Sequence, residues 1–431
     1  MGLIAASVSV LPALSSFRVD LVAQLGGGRF VGGSRPVRRF RRGLVVAQVA
    51  LAVTVVAAAG LLSRSLRRLQ GAEMGLAAEQ LVFVPLELPR AKYGDSGRLE
   101  RFLAAAVARL EAAPEVRAAT PVNSPPFSGT GGWDAPEFTG EGQSPERASA
   151  NPSLNFEAVH PSYFATFGIT LVRGRTFRAT DRWGAPEVVI LSEDVAAHAW
   201  PGEDPIGKRL KLGNPRSEDP WRTVVGVVGL TRYRELADPR PTLYVPAEQL
   251  FVSARTLVLR TAAPLALVAE RARGILREVD PQVQVTGVVP FAELLEVPLA
   301  RPRFDAFLVG VFGLAALLLA TVGLYAVVAA SVRQRYPEIA VRLALGATAA
   351  DVRRLVLAEG MWLAVAGAGA GLVAAAASAR VMRGLLFDAP AFDPVPLAGA
   401  VFLLVGLAAL ASLLPTRPAT RLDVLAVLRR F

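Results

Sequence analysis

The chain has 431 residues, of which 52% are hydrophobic and only 19% charged, with a formal net charge of +11, two histidines and no cysteine. This is too apolar for an ordinary soluble protein; it indicates a membrane protein with room for one or two folded domains besides. Disulfides and thiolate chemistry are excluded, and the arginine clusters sit beside apolar runs without the interleaved aromatics that stack on nucleic-acid bases.

Residues 1–17 are uncharged and mostly apolar, but Arg18 follows the run instead of preceding it, which argues against a cleaved signal peptide. Pro12, Arg18, Asp20, Ala23 and Leu25 align without gaps with Pro415, Arg421, Asp423, Ala426 and Leu428. Residues 1–25 are therefore expected to be a stub, the end of a preceding repeat, because about eleven apolar residues cannot cross a core of roughly 30 Å. A Gly- and Arg-rich linker without apolar periodicity follows at 26–42, carrying Arg35, Arg38, Arg39, Arg41 and Arg42. Residues 43–62 hold no charge over the length a bilayer requires, so a first complete transmembrane helix and its stalk are placed at 43–70. Gln48, its one strongly polar side chain, suits a helix-to-helix hydrogen bond or an interfacial position.

An aqueous domain is expected over 71–300. Strand patterns at 81–88 and 116–122 flank an amphipathic helix at 97–112, and the order recurs as strand 256–260, helix 264–278 and strand 283–289. Two split βαβ units flanking an insertion build one α+β layer, and the Gly- and Pro-rich stretch 125–246, with strands such as 188–191 and 223–228, forms a small β-rich lobe. In that lobe Gly202-EDPI-Gly207-Lys208-Arg209 matches the phosphate-binding loop pattern until Arg209 replaces its Ser or Thr, and a turn with Gly207 at a special backbone angle is the preferred reading. His160 and His198 lack a second ligand at metal spacing, and acids such as Glu187, Glu193, Asp194 and Asp204 have solvated surface as their default explanation. No catalytic, cofactor or metal site is assigned.

Residues 301–431 form the last domain, with transmembrane helices at 306–332, 360–379 and 394–414. No Asp, Glu, Lys or Arg lies in the middle of any complete span, which argues against an ion-coupled carrier. Gly367 and Gly371 form a GxxxG pair that predicts close helix packing, within the chain or between two copies. The charged stretch 336–360 joins two of the spans. Pro337 and Glu338 suit the first turn of a short helix, Gly346 stops it, and Thr348 with Asp351 is a capping pattern that opens a second helix running into the third span. Arginines at Arg333, Arg335, Arg342, Arg353 and Arg354 place this loop and both termini in the cytoplasm, with the large domain outside. The fold class is thus a multi-pass α-helical membrane protein with a large extracytoplasmic α+β domain, a split βαβ layer plus an inserted β-rich lobe.

The segment Glu338-IAV-Arg342-LALGA, followed by Asp351-VRRLVL and a glycine-rich span, resembles the FtsX-like permease domain of MacB-type ABC transporters, as does the tail Pro415-TRPAT-Arg421-L-Asp423. The outer stretch is similar to the MacB-like periplasmic core domain: Pro161-S-Tyr163-Phe164-x3-Gly168-Ile169 with Gly174-Arg175-x-Phe177, then Trp200-PGEDPIGKRL, Val224-VGVVG and Tyr244-VP. The repeated tail further resembles duplicated permeases with two such units in one polypeptide, of which this chain has one full unit and a stub. The resemblance implies a transmembrane permease subunit in a bacterial inner membrane that does not hydrolyse ATP itself. A separate cytoplasmic ABC ATPase would drive it together with a second permease unit, a homodimer or a paired half, and pass movement to a periplasmic partner or substrate, export being the expected task. It also implies that Glu338, Ile339, Arg342, Leu345, Gly346 and Ala347 couple to the ATPase. A membrane-anchored sensor or scaffold without an ATPase is the competing reading. A membrane-tethered hydrolase, with no nucleophile, base and orienting acid in evidence, is third.

Overall fold

The computed structural model describes residues 35–128, 133–135, 137–250, 254–381 and 393–415. The expected stub, most of the 26–42 linker and the tail beyond Pro415 lie outside the described residues. The chain divides into two units: Met1–Ala57, Phe312–Ser378 and Pro394–Phe431 form one, and Ala58–Val311 with Ala379–Asp393 the other.

The first element is helix α1, Arg35–Gln70. It starts well before residue 43, so arginines expected in a linker occupy its opening turns. Arginine is a good helix former, and Pro36 stands in the first turn, where its missing N–H has no partner to lose.

In the second unit, β1 (Leu81–Glu87) leads through α2 (Ser96–Glu111) to β2 (Val116–Val122). Asp95 starts α2 by accepting the Arg98 N–H at 2.8 Å. The inserted lobe follows: β3 (Trp133–Ala135), β4 (Phe138–Gly140), β5 (Leu154–Val159), α3 (Tyr163–Phe167), β6 (Leu171–Gly174), β7 (Val188–Ser192), α4 (Glu193–Ala199), β8 (Arg209–Leu212), β9 (Arg222–Val228) and β10 (Thr242–Pro246). The chain then returns through β11 (Thr256–Thr261), α5 (Leu265–Val279), β12 (Gln284–Val285) and β13 (Val289–Pro290).

The first sheet has the order β12-β1-β11-β2, with Leu81 opposite Arg260, Leu86 opposite Val285 and Val258 opposite Thr120, all antiparallel. Each βα unit therefore brackets a strand of the other, which is the split βαβ arrangement. Alternation decides the faces. Val84, Leu86, Leu257 and Leu259 pack under α2 and α5, while Leu81, Phe83 and Val258 meet Tyr163, Phe164 and Phe167 of the lobe. The single strand expected at 283–289 is two short pieces on β1, Gln284–Val285 and Val289–Pro290; Thr286 N–H still bonds to the Pro85 carbonyl, and the pairing lapses at Gly287, a residue that weakens a strand interior. The lobe's own mixed sheet runs β3-β5-β10-β7-β9-β8-β4, with β6 on β9.

The remaining helices are α6 (Glu296–Gln334), α7 (Tyr336–Ala344), α8 (Ala349–Val381) and α9 (Pro394–Leu413), of which the other unit takes α6 from Phe312 onward, α7, α8 as far as Ser378, and α9. Helices α1, α6, α8 and α9 are long and apolar enough to cross a membrane. Val45, Val49 and Val53 of α1, Leu324 and Val328 of α6, Leu363 of α8 and Leu404 of α9 share one core. Phe312, Leu319, Trp362 and Phe402 face outward, as lipid-facing side chains do. Contact between α8 and α1 is at backbone distance: a Cβ on Gly367 would lie 2.4 Å from Val49 Cγ1, and one on Gly371 would lie 2.7 Å from the Ala50 carbonyl oxygen.

Candidate functional site

Helix α7 and its two corners are built by local chemistry. Its last turn closes as a Schellman motif: Ala347 N–H donates to the Arg342 carbonyl at 2.9 Å and Gly346 N–H to that of Leu343 at 3.1 Å. Gly346 has φ +97°, open to glycine and strained for other residues. Two residues on, Thr348 and Asp351 form a reciprocal capping box, with Thr348 N–H to Asp351 Oδ2 at 2.9 Å and Asp351 N–H to Thr348 Oγ1 at 3.3 Å. Helix α8 therefore begins at 349, ahead of the span expected at 360.

The faces of α7 differ. Ile339, only 2% exposed, and Ala340 point into the helix core, with Tyr336 and Leu343 packed beside them. Glu338, Val341, Arg342 and Leu345 face outward; Leu345 is 82% exposed, and Arg342 donates to Glu338 Oε1 at 2.6 Å. Of the six residues carried over from the resemblance, Glu338, Arg342, Leu345 and Gly346 lie on the exposed side. Ala347 is half-buried and Ile339 anchors the helix from below.

The residue that sequence reasoning missed is Glu359. It is half-buried in α8, accepts from Ser331 Oγ of α6 at 2.9 Å, pairs with Arg42 of α1, and lies 3.7 Å from Arg335 Nη1 at the α6–α7 corner. One carboxylate thus ties three membrane helices together at the base of α7. Taking 360 as the start of the span hid it as an edge residue; a lone acid bordering an apolar run, opposite two arginine groups, was the available signal. Gln48 packs against Gly323 of α6, and Gly360 meets Ser412 of α9.

In the other unit the motif residues are structural. Tyr163, Phe164, Phe177 and Tyr244 fill the core, and Arg175 holds Asp181 at 2.7 and 3.1 Å. Gly207 has φ +86° and donates to the Val224 carbonyl, while Lys208 pairs with Glu203; a turn results, and the phosphate-loop resemblance is one of letters only. His160 contacts Glu248 at 2.9 Å, and His198 is exposed. A charged network of Glu157, Arg234, Asp134, Arg240 and Glu235 borders a cavity of about 360 Å³. Burial raises the Glu157 carboxyl to about 7, although the Arg234 guanidinium pulls it down; Glu235 adds to the rise.

Comparison with known proteins fits this architecture. Residues 43–288 match the family of the MacB-like periplasmic core domain, and residues 310–424 the FtsX-like permease C-terminal family. The macrolide export ATP-binding/permease protein MacB of Rhodospirillum rubrum is 29% identical over 315 residues, covering 67% of this chain and 45% of that protein. The pyoverdine export ATP-binding/permease protein PvdT of Pseudomonas savastanoi pv. phaseolicola is 25% identical over 404 residues, covering 91% and 57%. The chain spans about half the length of these relatives. Among solved structures, the periplasmic region of MacB from Actinobacillus actinomycetemcomitans is 14% identical, with a TM-score of 0.34 over 52% of this chain and 93% of that one. With one family covering more than half of the chain and the second most of the remaining membrane part, the chain belongs to the MacB/FtsX-type ABC transporter permeases.

Proposed function

We propose that this chain is the membrane-spanning subunit through which a separate cytoplasmic ATPase moves the 71–300 domain, held outside the inner membrane, with export as the outcome. The 301–431 domain supplies three of the membrane helices, both termini lie in the cytoplasm, and a second permease unit completes the working pair. A partner or substrate outside the membrane receives the movement. The observation that carries this reading is the build of α7. Its outward side offers Val341 and Leu345 between the charges of Glu338 and Arg342, an apolar patch with a polar rim of the kind that protein partners bury. Its inner side is fixed to the bundle by Ile339, and the capping box joins it to α8 without slack. The names of the curated relatives pair ATP binding with a permease, which supports an ATPase as the partner.

The test is co-purification of the full chain with the ATPase from native membranes, followed by ATP hydrolysis in a lipid bilayer. Arg342→Glu reverses the charge on the exposed face. Gly346→Pro fixes φ near −65° where the corner needs +97° and removes the N–H that bonds to Leu343. Both are expected to return hydrolysis to the level of the ATPase alone while the protein still inserts; unchanged stimulation would remove the coupling role. Failure to capture any ATPase, with a ligand found on the outer domain instead, would favour the sensor or scaffold.

A further inference from the structure

We propose that the bundle carries a binding site for the phosphodiester headgroup of an anionic phospholipid, in a cavity between α1 and α6. The cavity has a volume of about 210 Å³ and is lined by Arg38, Arg41 and Arg42 from α1 and by Val327, Ser331 and Gln334 from α6. It is roomy where a single water needs only about 10–15 Å³.

Four observations converge on this ligand. Arg38, Arg41 and Arg42 follow the i, i+3, i+4 spacing that puts side chains on one helix face. Among the described residues neither Arg38 nor Arg41 forms an ion pair; Arg42 shares Glu359 with Arg335. The site therefore holds more positive charge than its own carboxylate neutralises, and guanidinium groups match phosphate oxygens in a planar, bidentate geometry. Gln334 adds an amide donor, while Val327 gives an apolar wall suited to the start of an acyl chain. Depth agrees as well: the arginines immediately precede the charge-free run 43–62, which sets them at headgroup level whichever way the chain is oriented. A topogenic bias explains arginines beside a span. It does not explain three of them lining one cavity with polar groups from a second helix.

Occupancy has a consequence for the tie at Glu359, because Arg42 and Ser331 belong to both. A phosphodiester on Arg38 and Arg41 of α1 that also accepts from Gln334 of α6 would hold α1 against α6 at the foot of α7. The lipid becomes a structural member of the unit in which α7 sits.

Native mass spectrometry of the detergent-solubilised full chain tests the site, titrating phosphatidylglycerol, phosphatidylcholine or inorganic phosphate. Wild type is expected to retain phosphatidylglycerol over phosphatidylcholine by about tenfold. Arg41→Gln, and more so Arg38→Gln with Arg41→Gln, should bring the ratio toward parity, whereas Arg39→Gln, which removes an equal charge outside the cavity, should leave it. Parity in the wild type, or an equal loss with Arg39→Gln, overturns the site. Displacement of phosphatidylglycerol by inorganic phosphate at matched concentration overturns the lipid as its occupant. Because all substituted residues are exposed, unchanged thermal unfolding of each variant identifies the effect as binding.

Discussion

Ile339 and Leu345 are both large aliphatic residues of one short segment, and their fates are opposite. Ile339 closes the core under α7, so Ile339→Ala should destabilise the bundle by about 2–4 kcal/mol through lost contacts and a cavity, seen as a lower unfolding temperature. Leu345 stands in the open, and Leu345→Asp should shift stability by less than about 0.5 kcal/mol yet weaken capture of the ATPase. Measured together, the two substitutions separate anchoring from docking; equal loss of capture with equal stability would contradict the assignment of faces. A motif match assigns roles by position along the chain and is blind to which side of a helix a residue occupies. The helical period resolves it here, since Ile339, Ala340 and Leu343 form one stripe.

Among the elements, the two corners of the 335–348 loop were legible because their signals are local: Pro337 and Gly346 act on the backbone they belong to, and Thr348 reaches Asp351 within one turn. The partner of the GxxxG pair was not legible, because a small-residue stripe specifies a close neighbour and leaves its identity to the arrangement of the bundle. That neighbour is α1. Gly371→Val would drive two methyl groups toward the Ala50 carbonyl and Val53, and should cost about 1–3 kcal/mol by overpacking, read as loss of the folded fraction on mild heating in detergent. Gly369→Val, where a Cβ meets nothing within 4 Å, is the matched control and should be neutral. The start of α1 was misplaced for a related reason. A run of arginines has helix propensity but no apolar period, so only its continuation into a helical span reveals it.

At the scale of the whole molecule, the class and the strand–helix order of the outer domain could be read from alternation and turn residues. The sheet orders could not, since pairing between distant strands leaves no local trace. The pH response of this domain follows from one buried acid. Glu157, raised to about 7 chiefly by burial, with Arg234 opposing and Glu235 adding, binds its proton more tightly folded than unfolded. Its contribution to stability is therefore complete at low pH and is lost as pH climbs from the ordinary glutamate range through about 7. Unfolding of the outer domain should become easier by up to about 3 kcal/mol between pH 4.5 and 8, and Glu157→Gln should flatten that slope; an unchanged slope would locate the titration elsewhere. The interlocked first sheet also dictates an order of assembly. Strand β1 is synthesised long before β11 and β12, between which it lies, so no partial chain ending in the lobe can complete that sheet. The lobe, whose strands lie between β2 and β11, can pair internally first, and the layer beneath it closes only when the chain has been made through residue 290. During synthesis β1 and β2 therefore wait as unpaired, largely apolar strands, open to mispairing until β11 is made and segments that a chaperone would need to cover.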